Sequence, residues 1–93
     1  MVPHVFRLKA FAYCLAFAAS ERSGYRTVTH NRLIGGVAGS PHVHGVGVDV
    51  VYDGARPGDE ADTWLASEGL RRIDEQDHDH LQPADWVNRP LPV

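Results

Sequence analysis

The order of apolar, polar and turn-forming residues along this chain predicts two helices and two strands. Residues 6–19 read FRLKAFAYCLAFAA, lack glycine and proline and are apolar on nearly every side, which predicts a buried helix. Residues 43–52 read VHGVGVDVVY and alternate apolar with small or polar positions, which predicts a strand. Residues 60–70 begin with acidic residues and end near a glycine, as a short helix does. A second strand is expected over residues 70–82, until Pro83 ends it.

The remaining segments are richer in turn-forming residues. Residues 20–39 are polar and glycine-rich, with a short segment at 31–34 that can be helical. Residues 53–59 (DGARPGD) predict a loop, and the tail at 84–93 carries prolines that favour an extended chain. A chain of 93 residues is long enough for one small domain, so we expect a single domain over residues 1–93.

The N-terminal segment has two interpretations. Arg7 and Lys9 precede about ten apolar residues and a small-residue cluster at 18–20, which is the arrangement of a secretory signal. The first helix of the domain is the favoured interpretation, because cleavage of residues 1–19 would leave little to cover a sheet. In both, the motif-bearing core is residues 20–83. No apolar run reaches the roughly 18 residues of a transmembrane helix.

Composition excludes several classes of function. Hydrophobic residues at 43% and charged residues at 23% are ordinary for a folded domain. A single cysteine, Cys14, excludes an internal disulfide framework and a multi-cysteine zinc knuckle. The net charge of −3 argues against a nucleic-acid partner. Of the twelve acidic residues only Glu21 lies before residue 47, so the second half of the chain suits a cation better than a phosphate.

Two clusters of histidine and acidic residues carry the candidate chemistry. Residues 40–49 read SPHVHGVGVD, and residues 75–82 read EQDHDHLQ. The first cluster runs onto the first predicted strand and ends in an aspartate within it. The second contains two histidines two positions apart, which share one face of a strand. Two adjacent antiparallel strands could therefore bring these groups to one point.

A catalytic zinc site needs three protein ligands and an open position for water, and imidazoles with one carboxylate serve well. His42, Asp49 and the histidines of the second cluster offer such a set. Acidic groups beside them could act as the general base. The alternative is that the two histidines of the second cluster are exposed to solvent and have no role in a site. Asp49 would then accept hydrogen bonds from a turn, since a buried carboxylate needs a partner.

The motifs taken together resemble the zinc D-alanyl-D-alanine carboxypeptidase family. They are SGYR at 23–26, HNR at 30–32, GG at 35–36, S-x-H-x-x-G-x-x-x-D at 40–49 and DHDHLQ at 77–82. This family includes VanY- and VanX-like enzymes and phage L-alanyl-D-glutamate endopeptidases, and it is related to the hedgehog signalling domain. The resemblance implies an α+β fold: a small antiparallel sheet with helices on one face and a zinc cleft on the other.

Carried over position by position, the resemblance implies three zinc ligands: His42, Asp49 and His80. Asp77-x-x-His80 fits the acid-x-x-His spacing of the family and makes Asp77 the general base. Glu75-x-x-His78 is an alternative register, in which Glu75 is the base. In the favoured register His78 lies beside the metal as a catalytic residue, where it orients water or stabilises charge; its structural alternative is to hydrogen-bond a ligand.

Two further residues are expected to contact substrate. Arg26 is similar to the arginine of the SGYR motif that faces the substrate, where it binds a carboxylate or stabilises the oxyanion in catalysis. Its alternative is to tie down the glycine-rich loop. Ser40 is expected to hydrogen-bond the substrate or to hold the loop of His42.

The implied function is a zinc metallopeptidase that hydrolyses amide bonds in peptidoglycan stem peptides. Both a D-Ala-D-Ala carboxypeptidase and an L-Ala-D-Glu endopeptidase fit the resemblance. The alternatives are a non-catalytic zinc-containing binding module and a degraded prophage fragment of the same fold. A peptidoglycan substrate implies action at the cell wall, reached by export or by release of a phage-type protein at lysis.

Overall fold

A computed structural model describes residues 1–89 and shows three helices and four strands. In chain order they are α1 (Pro3–Phe17), β1 (Ala19–Ser23), α2 (Val28–Leu33), β2 (Val48–Tyr52), α3 (Asp59–Ser67), β3 (Leu70–Asp74) and β4 (Asp79–Pro83). The strands pair antiparallel in the order β1-β2-β4-β3. This arrangement confirms the predicted α+β fold class. Residues 90–93 of the predicted tail lie outside the described residues.

The two central strands separate the core from the candidate site. Val48, Val50 and Leu81 are buried in one cluster with residues of α1 and α3, so both helices cover this face of the sheet. Successive side chains of a strand point to opposite faces. Asp49 and His80 are cross-strand partners, and their side chains therefore share the other face. The alternation along the two strands thus places Asp49 and His80 on the face away from the helices.

Helix α1 is buried on one side only, so the prediction of a helix buried all round was wrong. Phe6, Ala10 and Tyr13 recur at helical spacing and pack into the core. The opposite side leaves three large apolar residues 63–71% exposed: Leu8, Phe11 and Leu15. The described residues provide one sheet beneath the helix and no layer above it. No helix within residues 1–89 combines the length and the hydrophobicity that crossing a bilayer requires.

The predicted strand over residues 70–82 is two strands joined by a tight turn, so its continuity was wrong. β3 and β4 pair from Leu70 with Pro83 to Asp74 with Asp79. Gln76 in the turn has φ of 77°, a left-handed conformation that is uncommon outside glycine. The Asp74 side chain accepts a hydrogen bond of 2.8 Å from the Gln76 backbone N–H, which closes the turn.

The first predicted strand begins at Val48, five residues later than expected from residue 43. Tight turns occupy residues 41–45 instead, and the Val46 N–H donates to the Pro41 carbonyl at 3.0 Å. Gly47 packs closely against these turns, since a Cβ there would lie 2.8 Å from the His42 backbone nitrogen. A glycine is therefore required at this point, and the turns bury the His42 side chain.

A buried polar network lies on the helix-covered side of the sheet and was not predicted. The Asp79 carboxylate, 1% exposed, accepts hydrogen bonds from Tyr52 (2.6 Å), Arg56 (3.0 Å) and Arg72 (3.4 Å). Burial and the bond to Asp79 raise the pKa of Tyr52 far above its usual range, so its hydroxyl stays a donor. The Tyr13 hydroxyl in turn donates to the Tyr52 oxygen at 2.7 Å. These bonds satisfy a carboxylate whose burial would otherwise be costly.

Candidate metal centre

The structure brings the three predicted metal ligands together. His42 comes from the turns before β2, Asp49 from β2 and His80 from β4. One ligand atom from each residue lies within 4.8 Å of the other two, and all three residues are at most 8% exposed. The antiparallel register places Asp49 opposite His80, and the turns deliver His42 to the same face. A group of this kind can hold a metal ion.

The carboxylate of Asp49 is the centre of the group. Its Oδ1 lies 3.2 Å from His42 Nε2 and 3.0 Å from His80 Nδ1. Burial by itself would raise the pKa of this carboxyl, but hydrogen bonds to His42 and His80 outweigh burial and hold the pKa well below its usual range. Asp49 is therefore an anion at neutral pH, as a metal ligand must be.

The hydrogen bonding of His42 shows that the group suits a cation. Its Nδ1 lies 2.7 Å from the Gly24 carbonyl oxygen and must donate its proton to it. In the neutral ring Nε2 then carries a lone pair, which faces the Asp49 oxygen at 3.2 Å. Two acceptors this close require a proton or a cation between them. Two imidazoles and one carboxylate are also a donor set typical of zinc.

The candidate ligands lie in a cleft with a volume of about 450 Å³. Arg26, Ser40, Glu75 and His78 also line it, so four further residues of the predicted site face the same space. A larger groove of about 590 Å³ between α1 and residues 43–48 contains none of the three candidate ligands. The smaller cleft is the better candidate site, because it holds the ligand set and the charged groups.

Arg26 and Ser40 have polar atoms that no described residue uses. Arg26 Nη1 donates to Asn31 Oδ1 at 2.8 Å, and Nη2 lies 3.5 Å from Asp49 Oδ2. The buried Arg26 Nε and the buried Ser40 Oγ have no hydrogen-bond partner within residues 1–89. Buried polar atoms without partners are rare in folded proteins. Both residues line the cleft, where contacts with a substrate are predicted.

His78 faces the candidate ligands and is oriented by Asp77. His78 Nε2 lies 3.8 Å from Asp49 Oδ1, while its Nδ1 donates to Asp77 Oδ1 at 2.6 Å. Arg22 holds the other Asp77 oxygen at 2.9 Å and lowers the pKa of that carboxyl. Asp77 is 67% exposed and borders a separate recess, whereas Glu75 lines the cleft. The geometry therefore favours Glu75, the alternative base, and the role of Asp77 stays a prediction.

Gln82 is a site residue that the sequence reasoning missed. It is 5% exposed, and its side-chain oxygen lies 2.9 Å from His80 Nε2. If the oxygen and nitrogen of the carboxamide exchange places, the nitrogen donates to His80 Nε2 at 2.9 Å and the oxygen accepts from Arg71 at 2.9 Å. The strand period was the available indication, since residues 80 and 82 of one strand share a face.

The fold and the site define a small α+β domain with a buried three-residue ligand group that opens into a cleft. A profile of the Peptidase M15 family matches residues 15–81, which include all three candidate ligands. The chain therefore belongs to the Peptidase M15 family, whose members are metal-dependent, and this confirms the resemblance seen in the sequence. No curated protein and no solved structure gives a significant match.

Proposed function

We propose that this chain is a zinc metallopeptidase that hydrolyses amide bonds in peptidoglycan stem peptides. The observation that carries the proposal is the buried group of His42, Asp49 and His80 at the base of a cleft in a member of the Peptidase M15 family. A closed structural metal site would not need an adjoining cleft with charged walls. The cleft leaves room for a peptide beside the ligands.

The residues present fit a zinc ion in this role. His42 would contribute Nε2, His80 would contribute Nδ1 and Asp49 would contribute Oδ1, the atoms that already face one another. When bound, zinc supplies Lewis acidity to the attacking water and to the scissile carbonyl. Three protein ligands leave a position open for this chemistry.

Glu75 is our candidate for the general base. Glu75 lines the cleft, and its carboxylate would take the proton of the attacking water and then pass it to the leaving amine. His78 points Nε2 into the cleft and would donate a hydrogen bond to the developing oxyanion when protonated. Asp77 would hold the His78 ring through Nδ1, as observed.

Arg26 and Ser40 are our candidates for substrate binding. The Arg26 guanidinium is a charged fork that matches a peptide carboxylate, and Arg26 lines the cleft. Ser40 lines the same wall, and its hydroxyl has no hydrogen-bond partner within residues 1–89. A substrate with a carboxylate near the scissile bond, such as a D-Ala-D-Ala or L-Ala-D-Glu peptide, provides the matching group.

Hydrolysis of defined peptides by the zinc-loaded chain tests the proposal. D-Ala-D-Ala and L-Ala-D-Glu stem peptides are incubated with wild type, Glu75→Gln and Asp77→Asn, and the released amines are quantified. Loss of a general base lowers kcat by roughly 10²–10⁴-fold. We expect this loss in Glu75→Gln and a smaller loss in Asp77→Asn, which disturbs only the orientation of His78.

The matched pair of variants separates the possible results. Full loss in Asp77→Asn with activity retained in Glu75→Gln would assign the base to Asp77. Stoichiometric zinc without cleavage of either peptide would favour the non-catalytic binding module. A folded chain that binds no zinc would overturn the proposal of a zinc metallopeptidase.

A further inference from the structure

We propose that Gln82 positions His80 for metal binding by turning its carboxamide oxygen towards His80 Nε2, and that Arg71 opposes this orientation because it hydrogen-bonds the carboxamide in the reversed one. The inference rests on the metal site of the proposed function and extends it to two residues outside the ligand set. Gln82 is the cross-strand partner of Arg71 and lies two residues after His80 in β4. A continuous row of polar groups therefore runs along one face of the sheet, from Asp49 through His80 and Gln82 to Arg71.

The neutral ring of His80 has two usable hydrogen-bond arrangements. To bind a metal through Nδ1, the neutral ring must carry its proton on Nε2, and Nε2–H then needs an acceptor. The Gln82 oxygen lies 2.9 Å away and accepts this proton. Without a metal, Nδ1–H can donate to Asp49 Oδ1 at 3.0 Å, and Nε2 then needs a donor, which the reversed carboxamide supplies.

Arg71 distinguishes the two arrangements. With the carboxamide reversed, its oxygen accepts from Arg71 Nη2 at 2.9 Å and from Nε at 3.3 Å. In the metal-binding arrangement the Gln82 amide hydrogens face the Arg71 guanidinium instead. Both groups are hydrogen-bond donors, so no hydrogen bond can form between them. The exposed Arg71 must then turn away into water. Metal binding therefore loses the Arg71–Gln82 hydrogen bonds, and Arg71 holds the metal-free arrangement.

A glutamate at position 82 would remove the conflict. A carboxylate accepts hydrogen bonds through both oxygens, so it can accept from His80 Nε2–H and from Arg71 at once. The substitution Gln82→Glu therefore separates the amide reversal from a simple effect of charge. If only the charge of Arg71 opposes the metal, its removal strengthens metal binding both with glutamine and with glutamate at position 82. If the amide reversal opposes the metal, removal of Arg71 strengthens metal binding only when position 82 carries a carboxamide.

The test measures zinc affinity of the full chain by competition with a chelator. The proteins are wild type, Arg71→Met, Gln82→Leu, Gln82→Glu and the double variant that combines Arg71→Met with Gln82→Glu. We expect Arg71→Met to tighten zinc binding roughly three- to tenfold in the Gln82 background, as expected for loss of a competing hydrogen bond. In the Gln82→Glu background we expect Arg71→Met to leave affinity unchanged or to weaken it. Gln82→Leu should weaken binding about 10–100-fold.

A second measurement reports the proton directly. Nitrogen-15 spectra of the histidine-labelled, metal-free chain should show His80 protonated on Nδ1 in wild type and shifted towards Nε2 in Gln82→Glu. Equal effects of Arg71→Met in both backgrounds, or Nε2 protonation in metal-free wild type, would overturn the inference while leaving the zinc site intact. Absence of zinc binding by folded wild type would overturn the proposed function together with it.

Discussion

Two buried aspartates lie close in this sheet but belong to opposite faces and have different partners. Asp49 faces the cleft, where its neighbours are imidazoles and a half-buried guanidinium that can all face a ligand. Asp79 faces the helices, where Tyr52, Arg56 and Arg72 satisfy it completely. At the scale of the residue, the same side chain therefore serves a binding site in one position and the stability of the fold in the other.

The role of Asp79 predicts a large effect on stability. In Asp79→Asn the amide nitrogen faces two guanidinium groups, and the buried Arg72 loses a counter-charge. Removing one partner of a buried ion pair lowers the free energy of unfolding by about 3–5 kcal/mol. Because Asp62 also pairs with Arg72, we expect a loss near the low end, about 3 kcal/mol, in the free energy of unfolding measured with urea. Exposed Asp53→Asn is the control, and an equal loss in both variants would contradict the assignment.

At the scale of the element, the one-sided packing of α1 predicts an asymmetric response to truncation. Phe6 is 2% exposed in the core, whereas Phe11 is 63% exposed on the other side of the same helix. Phe6→Ala should cost about 3–5 kcal/mol of unfolding free energy, because it removes buried contacts and leaves a cavity. Phe11→Ala should change stability by no more than about 0.5 kcal/mol. The two variants delete the same atoms, so denaturant melts can compare their losses of unfolding free energy directly. Similar losses would mean that something covers the outer side of α1.

The elements also show how far the sequence could predict this molecule. Period and composition located α1, α3 and the core of β2, and the family motifs pointed to the three candidate ligands that the structure brings together. The turn in the β3–β4 hairpin was missed, because Gln76 adopts a left-handed conformation without the glycine or asparagine that usually marks one. That turn decides which acidic side chain reaches the cleft, so spacing alone could not choose between Glu75 and Asp77. The buried turns around His42 also depend on close packing at Gly47, which no periodicity reports.

At the scale of the whole molecule, the candidate metal centre joins segments that are distant in the chain. His42 lies in a turn, and Asp49 and His80 lie on two paired strands. The Gly24 carbonyl, in the segment after β1, accepts a hydrogen bond from the His42 ring. A small domain buries a limited fraction of its surface, so its folding free energy is modest. A ligand that binds only the folded chain adds its binding free energy to this stability. Metal binding should therefore stabilise the entire fold and not only the cleft.

This coupling gives a prediction for zinc addition and removal. At free zinc 100 times the dissociation constant, the free energy of unfolding should rise by about 2.7 kcal/mol, and excess chelator should reverse the rise. Thermal and urea melts with and without zinc measure the increment. His42→Ala should abolish it, because one ligand is missing. His44→Ala is the matched control: it also removes an imidazole, but one that binds the Arg89 carbonyl and lies outside the ligand group, so the increment should persist. An increment that survives in His42→Ala would mean that zinc stabilises the fold from another site.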